Sequence, residues 1–263
     1  MEPIYRVEQD GRVLHAVRRD GAWHGLEGGP FGPSAVGARL DGAAPRTLAP
    51  VAPSKIVAVG LNYRDHAAEM NKALPDEPLI FLKPSTAVIG PGASIVLPPG
   101  AGRVDYEAEL GLVIGRTARH VPAERAHEVV AGFTCVNDVT DRDLQRRDVQ
   151  YTRAKGFDTF APVGPCIAPP DLDRALGIET RVNGERRQHS STRELIFPLR
   201  RLVEFVTAVM TLLPGDVLST GTPPGVGPLA PGDRVVIAIE GVGELENDVV
   251  AGAPGPGTQA SAP

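Results

Sequence analysis

The chain has 263 residues, enough to bury a sizeable core in one large domain or in one domain with a small annex. Its 27 Lys and Arg against 32 Asp and Glu leave a net charge of -5 with no basic block, which argues against nucleic acid and for a small-molecule partner. The most apolar run, Leu202 to Leu213, contains Glu204 and is too short to cross a bilayer, and "MEPIYRVEQD" lacks a signal pattern, so a cytoplasmic protein without membrane contact is expected.

In chain order, residues 1–50 read as a small β domain. "IYRVEQ", "RVLHAVR" and "AWHGLEG" are separated by Asp10-Gly11 and Asp20-Gly21, which are hairpin dipeptides. The Pro/Ala-rich bridge "DGAAPRTLAPVAPS" marks a boundary, and "KIVAVG" opens a second domain over 55–250. Strand-like pieces joined by Pro/Gly turns follow, with helical patterns at Tyr63 to Ala73, Ala123 to Val130 and Arg200 to Leu213. "RVNGERRQH" reads as a hairpin turning at Asn183-Gly184, and the tail 251–263 as disordered. With 30 Gly and 26 Pro, helix is a minority, so the expected fold class is mixed α+β, β-dominated. Cys135 and Cys166 lack zinc spacing and are expected to be buried small residues.

Alternation along "VDYEAELGLVIG" puts Val104, Tyr106, Ala108, Leu110, Leu112 and Ile114 on one face and Glu107 and Glu109 together on the other. Carboxylates at i and i+2 are about 7 Å apart, within reach of one cation, although a strand with one wet face has the same pattern. A third carboxylate, Asp138, stands where the apolar run Val129 to Val136 ends. Glu107, Glu109 and Asp138 would give three hard oxygen ligands suited to Mg2+ or Mn2+ rather than zinc. Taken alone, Asp138 also fits a turn or helix cap.

In "GLNYRDHAAEM", a helix capped by Asn62 would put His66 and Glu69 on one face as a base dyad, or as an ordinary surface pair. Lys155 in "TRAKGFDTF" would serve a carboxylate or a developing oxyanion, and Lys83 is held extended by Pro84 after an apolar strand. "STGTPPGVG" could offer backbone N–H groups and the Thr222 hydroxyl to an anion, but it is not a P-loop.

In this order the segments "KIVAVGLNYRDHAAEMN", "PLIFLKPSTAVIGPG", "VDYEAELGLVIG", "GFTCVNDVTDRDLQ", "AKGFDTFAPVGP", "RVNGE" and "LLPGDVLSTGTPPGVG" resemble the fumarylacetoacetate hydrolase family. The resemblance runs from Lys55 to about Asn247 and implies a twisted β-roll core, a small N-terminal β domain and a homodimer. It also implies Mg2+ or Mn2+ on Glu107, Glu109 and Asp138, a catalytic dyad of His66 and Glu69 on a mobile lid, and Lys155 as the active-site lysine. Thr222 is similar to a residue that contacts the substrate carboxylate, and Lys83 and Arg64 are read with it as substrate-binding. Tyr151 stands where many relatives carry Trp, so the distal half of the substrate would be read differently.

The implied substrates are 2-oxo acids, whose carboxylate and keto oxygen chelate the metal and make it a Lewis acid toward a developing enolate. Because a dyad can deprotonate water, hydrolytic C–C cleavage of a 2,4-dioxo acid is the expected reaction, with oxaloacetate decarboxylation beside it. The alternatives are an isomerase or dehydratase of unsaturated or sugar-derived 2-oxo acids, and a non-catalytic metal-binding scaffold.

Overall fold

A computed structural model describes residues 2–253. The first two hairpins form where the Asp-Gly dipeptides place them. Asp10 (φ 49°) with Gly11 (φ 73°), and Asp20 (φ 49°) with Gly21 (φ 77°), hold the paired left-handed conformations of a two-residue hairpin turn. Tyr5–Gln9, Arg12–Arg19 and Ala22–Glu27 are therefore antiparallel neighbours, and Ala35–Arg39 and Arg46–Thr47 complete a five-stranded sheet. Arg46–Thr47 lies inside the Pro/Ala-rich bridge, so part of that bridge is strand. Backbone hydrogen bonds of 2.9 and 2.8 Å join Ile4 to Ile167 and seat this sheet on the larger body.

The larger body is built on seven strands in the order Ile80–Pro84, Lys55–Val59, Val217–Ser219, Ala108–Ile114, Val130–Asn137, Ala161–Ala168 and Val88–Ile89. A five-stranded sheet shares its core, in the order Glu185–Ser191, Gly177–Val182, Arg234–Ile239, Gly243–Ala251 and Ile95–Leu97. Its first hairpin turns at Asn183 (φ 52°) and Gly184 (φ 83°), as the sequence predicts. The fold is mixed and β-dominated.

Alternation holds along the glutamate strand. Val104, Tyr106, Ala108, Leu110, Leu112 and Ile114 all join the main apolar core, while Val113 faces a second core with Val136, Ile56 and Val217. The face carrying Glu109 is not wet: every residue of Ala108–Ile114 is buried. The strand also breaks at Glu107, because Val104–Tyr106 pairs instead in a small sheet with Thr140–Asp141 and Gly227–Pro228. Glu107 is thus the joint between two sheets, pinned by its amide to Asn137 Oδ1 (3.0 Å) and by its carbonyl to the Asp138 amide (2.8 Å).

The helices are shorter than expected. The first is Arg64–Glu69, ended by Asn71 in the left-handed region (φ 55°), and Asn62 does not cap it. The Asn62 amide instead bonds the Thr220 carbonyl (2.7 Å) and the Phe197 amide (2.8 Å), fastening the helix entry to two distant loops. Ala123–Glu128 is a 3-10 helix, and Leu199–Val209 stops before Met210 turns extended, which leaves Val209 and Leu213 exposed. The helix cap in "NDVTDRD" belongs to Asp141, which accepts from the Asp143 and Leu144 amides, and this releases Asp138 for another task. Cys135 and Cys166 are buried free thiols, as predicted. Among the described residues no helix is long and apolar enough to cross a membrane. Ala251, assigned by sequence to the tail, ends a strand, and the tail from 254 onward lies outside the described residues.

Candidate active site

Strand ends and one sheet joint bring the carboxylates together. Glu107 sits at the joint, Glu109 two residues into the next strand, and Asp138 just past the neighbouring strand Val130–Asn137. All three are buried, and one oxygen from each lies within 4.8 Å of the others.

Basic side chains hem in two of the three. The Lys155 ammonium, buried at the end of the short helix Thr152–Lys155, donates to Glu107 Oε2 (2.8 Å), Asp138 Oδ2 (2.5 Å) and Thr140 Oγ1 (2.8 Å). Those three bonds use its three protons. Arg142 donates to Glu107 Oε1 (2.5 Å) and Asp105 Oδ2 (2.8 Å). Burial pushes the Glu107 carboxyl up, but Lys155 and Arg142 outweigh it and hold it well below its ordinary value. Burial works against the Lys155 charge too, and there Asp138, Glu107 and Glu109 prevail and raise it.

Glu109 has no such partner. Ser219 Oγ (2.6 Å) and the Gly221 amide (2.8 Å) donate to its Oε2, while burial and the charges of Asp138 and Glu107 push its carboxyl well above the usual range. A cage of hard oxygens in which one carboxylate lacks a counter-cation fits Mg2+ or Mn2+, and Glu107, Glu109 and Asp138 are the residues that would hold it.

Through Glu107 and Glu109 the cage opens on the floor of a cleft of about 730 Å³ whose wall includes His66, Glu69, Lys155 and Thr222. His66 Nδ1 lies 2.9 Å from Glu69 Oε2, so the dyad expected from the i, i+3 spacing is formed. The Gly225 amide donates to Glu69 Oε1 (3.1 Å). The N–H groups of "STGTPPGVG" therefore meet anions that are the protein's own: Gly221 holds Glu109 and Gly225 holds Glu69. A side chain at Gly221 (φ 94°) would strike Asn62, and one at Gly225 (φ 90°) the Arg187 carbonyl, so the loop can approach this closely only with glycine.

Two expected substrate contacts are displaced. Lys83 is completely buried behind Asp138, donating to its Oδ1 (2.5 Å) and to the Val139 carbonyl (3.1 Å), and it is not on the cleft wall. Burial pushes its amine below the usual lysine value despite Asp138. Its place makes it a support for Asp138. Arg64 donates to the Leu195 carbonyl (2.5 Å) and is likewise absent from the cleft wall. Tyr151 does line the cleft, edge-on to Phe81 at 5.4 Å, and Phe81 lies under the Lys155 ammonium at 4.9 Å.

Sequence reasoning missed Asp105, Arg142 and Gln145, all on the cleft wall. Arg142 and Gln145 share one helix face at i, i+3, with Arg142 donating to Gln145 Oε1 (3.0 Å). The signal was present in "TDRDLQ", once Asp141 is taken as the cap that starts that helix.

A β-dominated body with an acidic, metal-suited cage at the base of a cleft, faced by a His–Glu pair, defines a class of small-molecule enzyme folds. A family model described as Fumarylacetoacetate (FAA) hydrolase C-terminal matches residues 55–250, and the chain belongs to the fumarylacetoacetate hydrolase family. It is 44% identical over 215 residues to the mitochondrial oxaloacetate tautomerase Fahd2a of Rattus norvegicus, covering 77% of this chain and 69% of that one. The crystal structure of 5-carboxymethyl-2-hydroxymuconate delta-isomerase from Mycobacterium smegmatis superposes with a TM-score of 0.89 at 45% identity, covering 95% of this chain and 100% of that one. The maleylpyruvate hydrolase from Sphingobium sp. SYK-6, in complex with manganese(II) and pyruvate, gives a TM-score of 0.79 at 31% identity with coverage of 95% and 100%.

Proposed function

We propose that the chain is a divalent-metal-dependent enzyme that moves a proton at carbon 3 of a small 2-oxo acid, an isomerase or tautomerase with His66 as its base. One observation carries this reading: the His66–Glu69 pair opens on the cleft floored by the carboxylate cage, while every proton of Lys155 is already engaged. The dyad provides proton transfer. The engaged lysine is a counter-cation rather than the oxyanion donor that hydrolysis requires. The relatives at 45% and 44% identity are named an isomerase and a tautomerase, which supports the same reading.

Glu107, Glu109 and Asp138 would hold a divalent cation, which would supply Lewis acidity toward a 2-oxo acid. Glu69 accepts from His66 Nδ1, which leaves the lone pair on Nε2 to take a proton from carbon 3. Glu69 steadies the resulting imidazolium, and the Gly225 N–H keeps Glu69 in place. His66 then returns the proton to the enol oxygen, or to the far end of a conjugated chain. Thr222 offers its hydroxyl to the substrate carboxylate.

Hydrolytic C–C cleavage is the second reading, favoured by the Gln145 amide. Its Oε1 is held by Arg142, so its NH2 group is the donor on the cleft wall best suited to a tetrahedral oxyanion. The deciding experiment gives the protein the enol of oxaloacetate, a 2-hydroxy diene dioate and acetylpyruvate, each with Mn2+, with EDTA and with His66→Ala. Expected is metal-dependent loss of enol absorbance for the first two, slowed at least ~100-fold by His66→Ala, with no new fragments by NMR. Stoichiometric pyruvate and acetate from acetylpyruvate would overturn proton transfer in favour of hydrolysis.

A further inference from the structure

The hairpin "RVNGERRQH" lies outside the catalytic cluster, yet it sends one side chain to it. Gln188, on Glu185–Ser191, is completely buried. Its Oε1 accepts from the Ala108 amide (3.0 Å) and the Thr180 hydroxyl (2.7 Å), and its Nε2 donates to Thr222 Oγ1 (2.9 Å) and the Pro223 carbonyl (2.8 Å). The four bonds admit only one amide orientation. Turned over, the NH2 group would face the Ala108 N–H, and the oxygen would face the Pro223 carbonyl.

We propose that Gln188 is a positioning residue that aims the Thr222 hydroxyl proton into the cleft, so that the site demands a hydrogen-bond acceptor from its substrate there. This rests on the reading above, in which Thr222 meets the carboxylate of a 2-oxo acid. Because Thr222 Oγ1 accepts from Gln188, its own proton must go elsewhere, and among the described residues it donates to none. Thr222 lies on the cleft wall, where a carboxylate oxygen would receive that proton and a second donor would be rejected. Gln188 also holds Ala108, the residue between Glu107 and Glu109, so one amide joins the metal cage to the substrate loop.

The test measures binding of pyruvate to the Mn2+-loaded full chain by calorimetry, alongside Mn2+ affinity and thermal stability. Gln188→Glu keeps the acceptor for Ala108 and Thr180 but turns the Thr222 proton toward itself, so pyruvate should bind about tenfold more weakly. Gln188→Met removes all four bonds yet leaves the Thr222 hydroxyl free to rotate. It should lower stability and Mn2+ affinity more than Gln188→Glu does, but weaken pyruvate less.

That opposite ranking is what a merely structural role would not produce. In a Thr222→Val background, which should itself weaken pyruvate about tenfold, neither change at Gln188 should weaken it further. A loss that persists there would mean general charge repulsion or collapse and would overturn the proposal, as would Gln188→Met weakening pyruvate more than Gln188→Glu. If Gln188→Met does not fold, the cycle between Gln188→Glu and Thr222→Val decides alone. Wild-type protein that ignores pyruvate overturns the proposed function and this inference with it, whereas wild-type binding that Gln188→Glu leaves unchanged overturns only the inference.

Discussion

The floor of the cleft and the amino-terminal sheet are stitched with the same kinds of ion pair in opposite surroundings. On the floor, Asp105, Glu107 and Asp138 interlock with Lys83, Arg142 and Lys155 where side chains are almost wholly buried. On the sheet, Arg19 with Glu2 and Arg46 with Glu8 are open to solvent, each side chain at least a third exposed. Burial makes each charge on the floor depend on its neighbours, since removal of one leaves the others unpaired in a poor solvent for ions. On the sheet, water replaces any partner that leaves. The floor, where one carboxylate is still without a cation, is accordingly the place able to recruit a metal.

The largest expected effect comes from breaking the floor at its most shared member. Asp138→Asn keeps the shape but leaves Lys83 and Lys155 facing a neutral amide, which should cost about 3–5 kcal/mol of stability and abolish Mn2+ binding. Urea unfolding and calorimetry measure the two losses. Full stability in this variant would mean that the floor is wetter than its burial indicates.

Lys155→Met sharpens the same comparison through the metal. Without Lys155, Glu107 and Asp138 lose a common partner, so in EDTA the variant should unfold more easily than wild type by roughly 3 kcal/mol. Added Mn2+ should return most of that loss, because a cation in the cage takes over the compensation, and the Mn2+-induced rise in Tm should exceed that of wild type. Equal rises in the two proteins would count against a metal on these three carboxylates.

Between the two extremes lies Asp216, buried just before Val217–Ser219 beside Lys55, whose side chain is 21% exposed. Burial pushes its carboxyl up, but donors from Lys55 (2.5 Å), the Leu213 amide (2.9 Å) and Ser54 (2.7 Å) win and hold it below the ordinary aspartate range. A carboxyl with a lowered folded-state pKa stabilises the fold fully above its unfolded value, and the contribution disappears as pH falls through the lowered value. Asp216→Asn should therefore cost about 1–2 kcal/mol at neutral pH, discounted for the water around Lys55, and the gap to wild type should close in acid. Unfolding curves from pH 7 to pH 2.5 check the direction; a gap that widens in acid would reverse the assignment.

The features legible in the sequence were those set by neighbours along the chain. The Asp-Gly and Asn183-Gly184 turns need only their own φ angles, the alternation through Leu110 and Leu112 is a property of any strand, and His66 and Glu69 meet through one helical turn. Lys83 is not legible in the sequence because its fate depends on Asp138, 55 residues away just past another strand, and no local pattern says that a lysine will be sealed behind a carboxylate. The wet-face alternative for Glu109 failed for a similar reason: Val217–Ser219 covers that strand's edge from more than a hundred residues downstream. Gln188 and Arg142 depend on the same kind of long-range closure. The first helix ended early at Asn71, because a left-handed residue stops a helix that propensity alone would extend.

The smallest effect should be Arg19→Ala, and its smallness tests the comparison from the other side. The guanidinium makes three bonds to Glu2, at 2.8, 3.0 and 2.6 Å, more contacts than Lys83 has with Asp138. If bond count set stability, this pair would rank with the floor. Yet both side chains are about half exposed, at 48% and 41%, so each is hydrated before and after the change and ordering the long arginine offsets the attraction. Thermal unfolding of Arg19→Ala should move by about 1 °C or less, at low and at high salt alike. A shift approaching that of Asp138→Asn would show that geometry rather than burial governs ion pairs in this chain, and burial would then give the charged floor no special power to bind a metal.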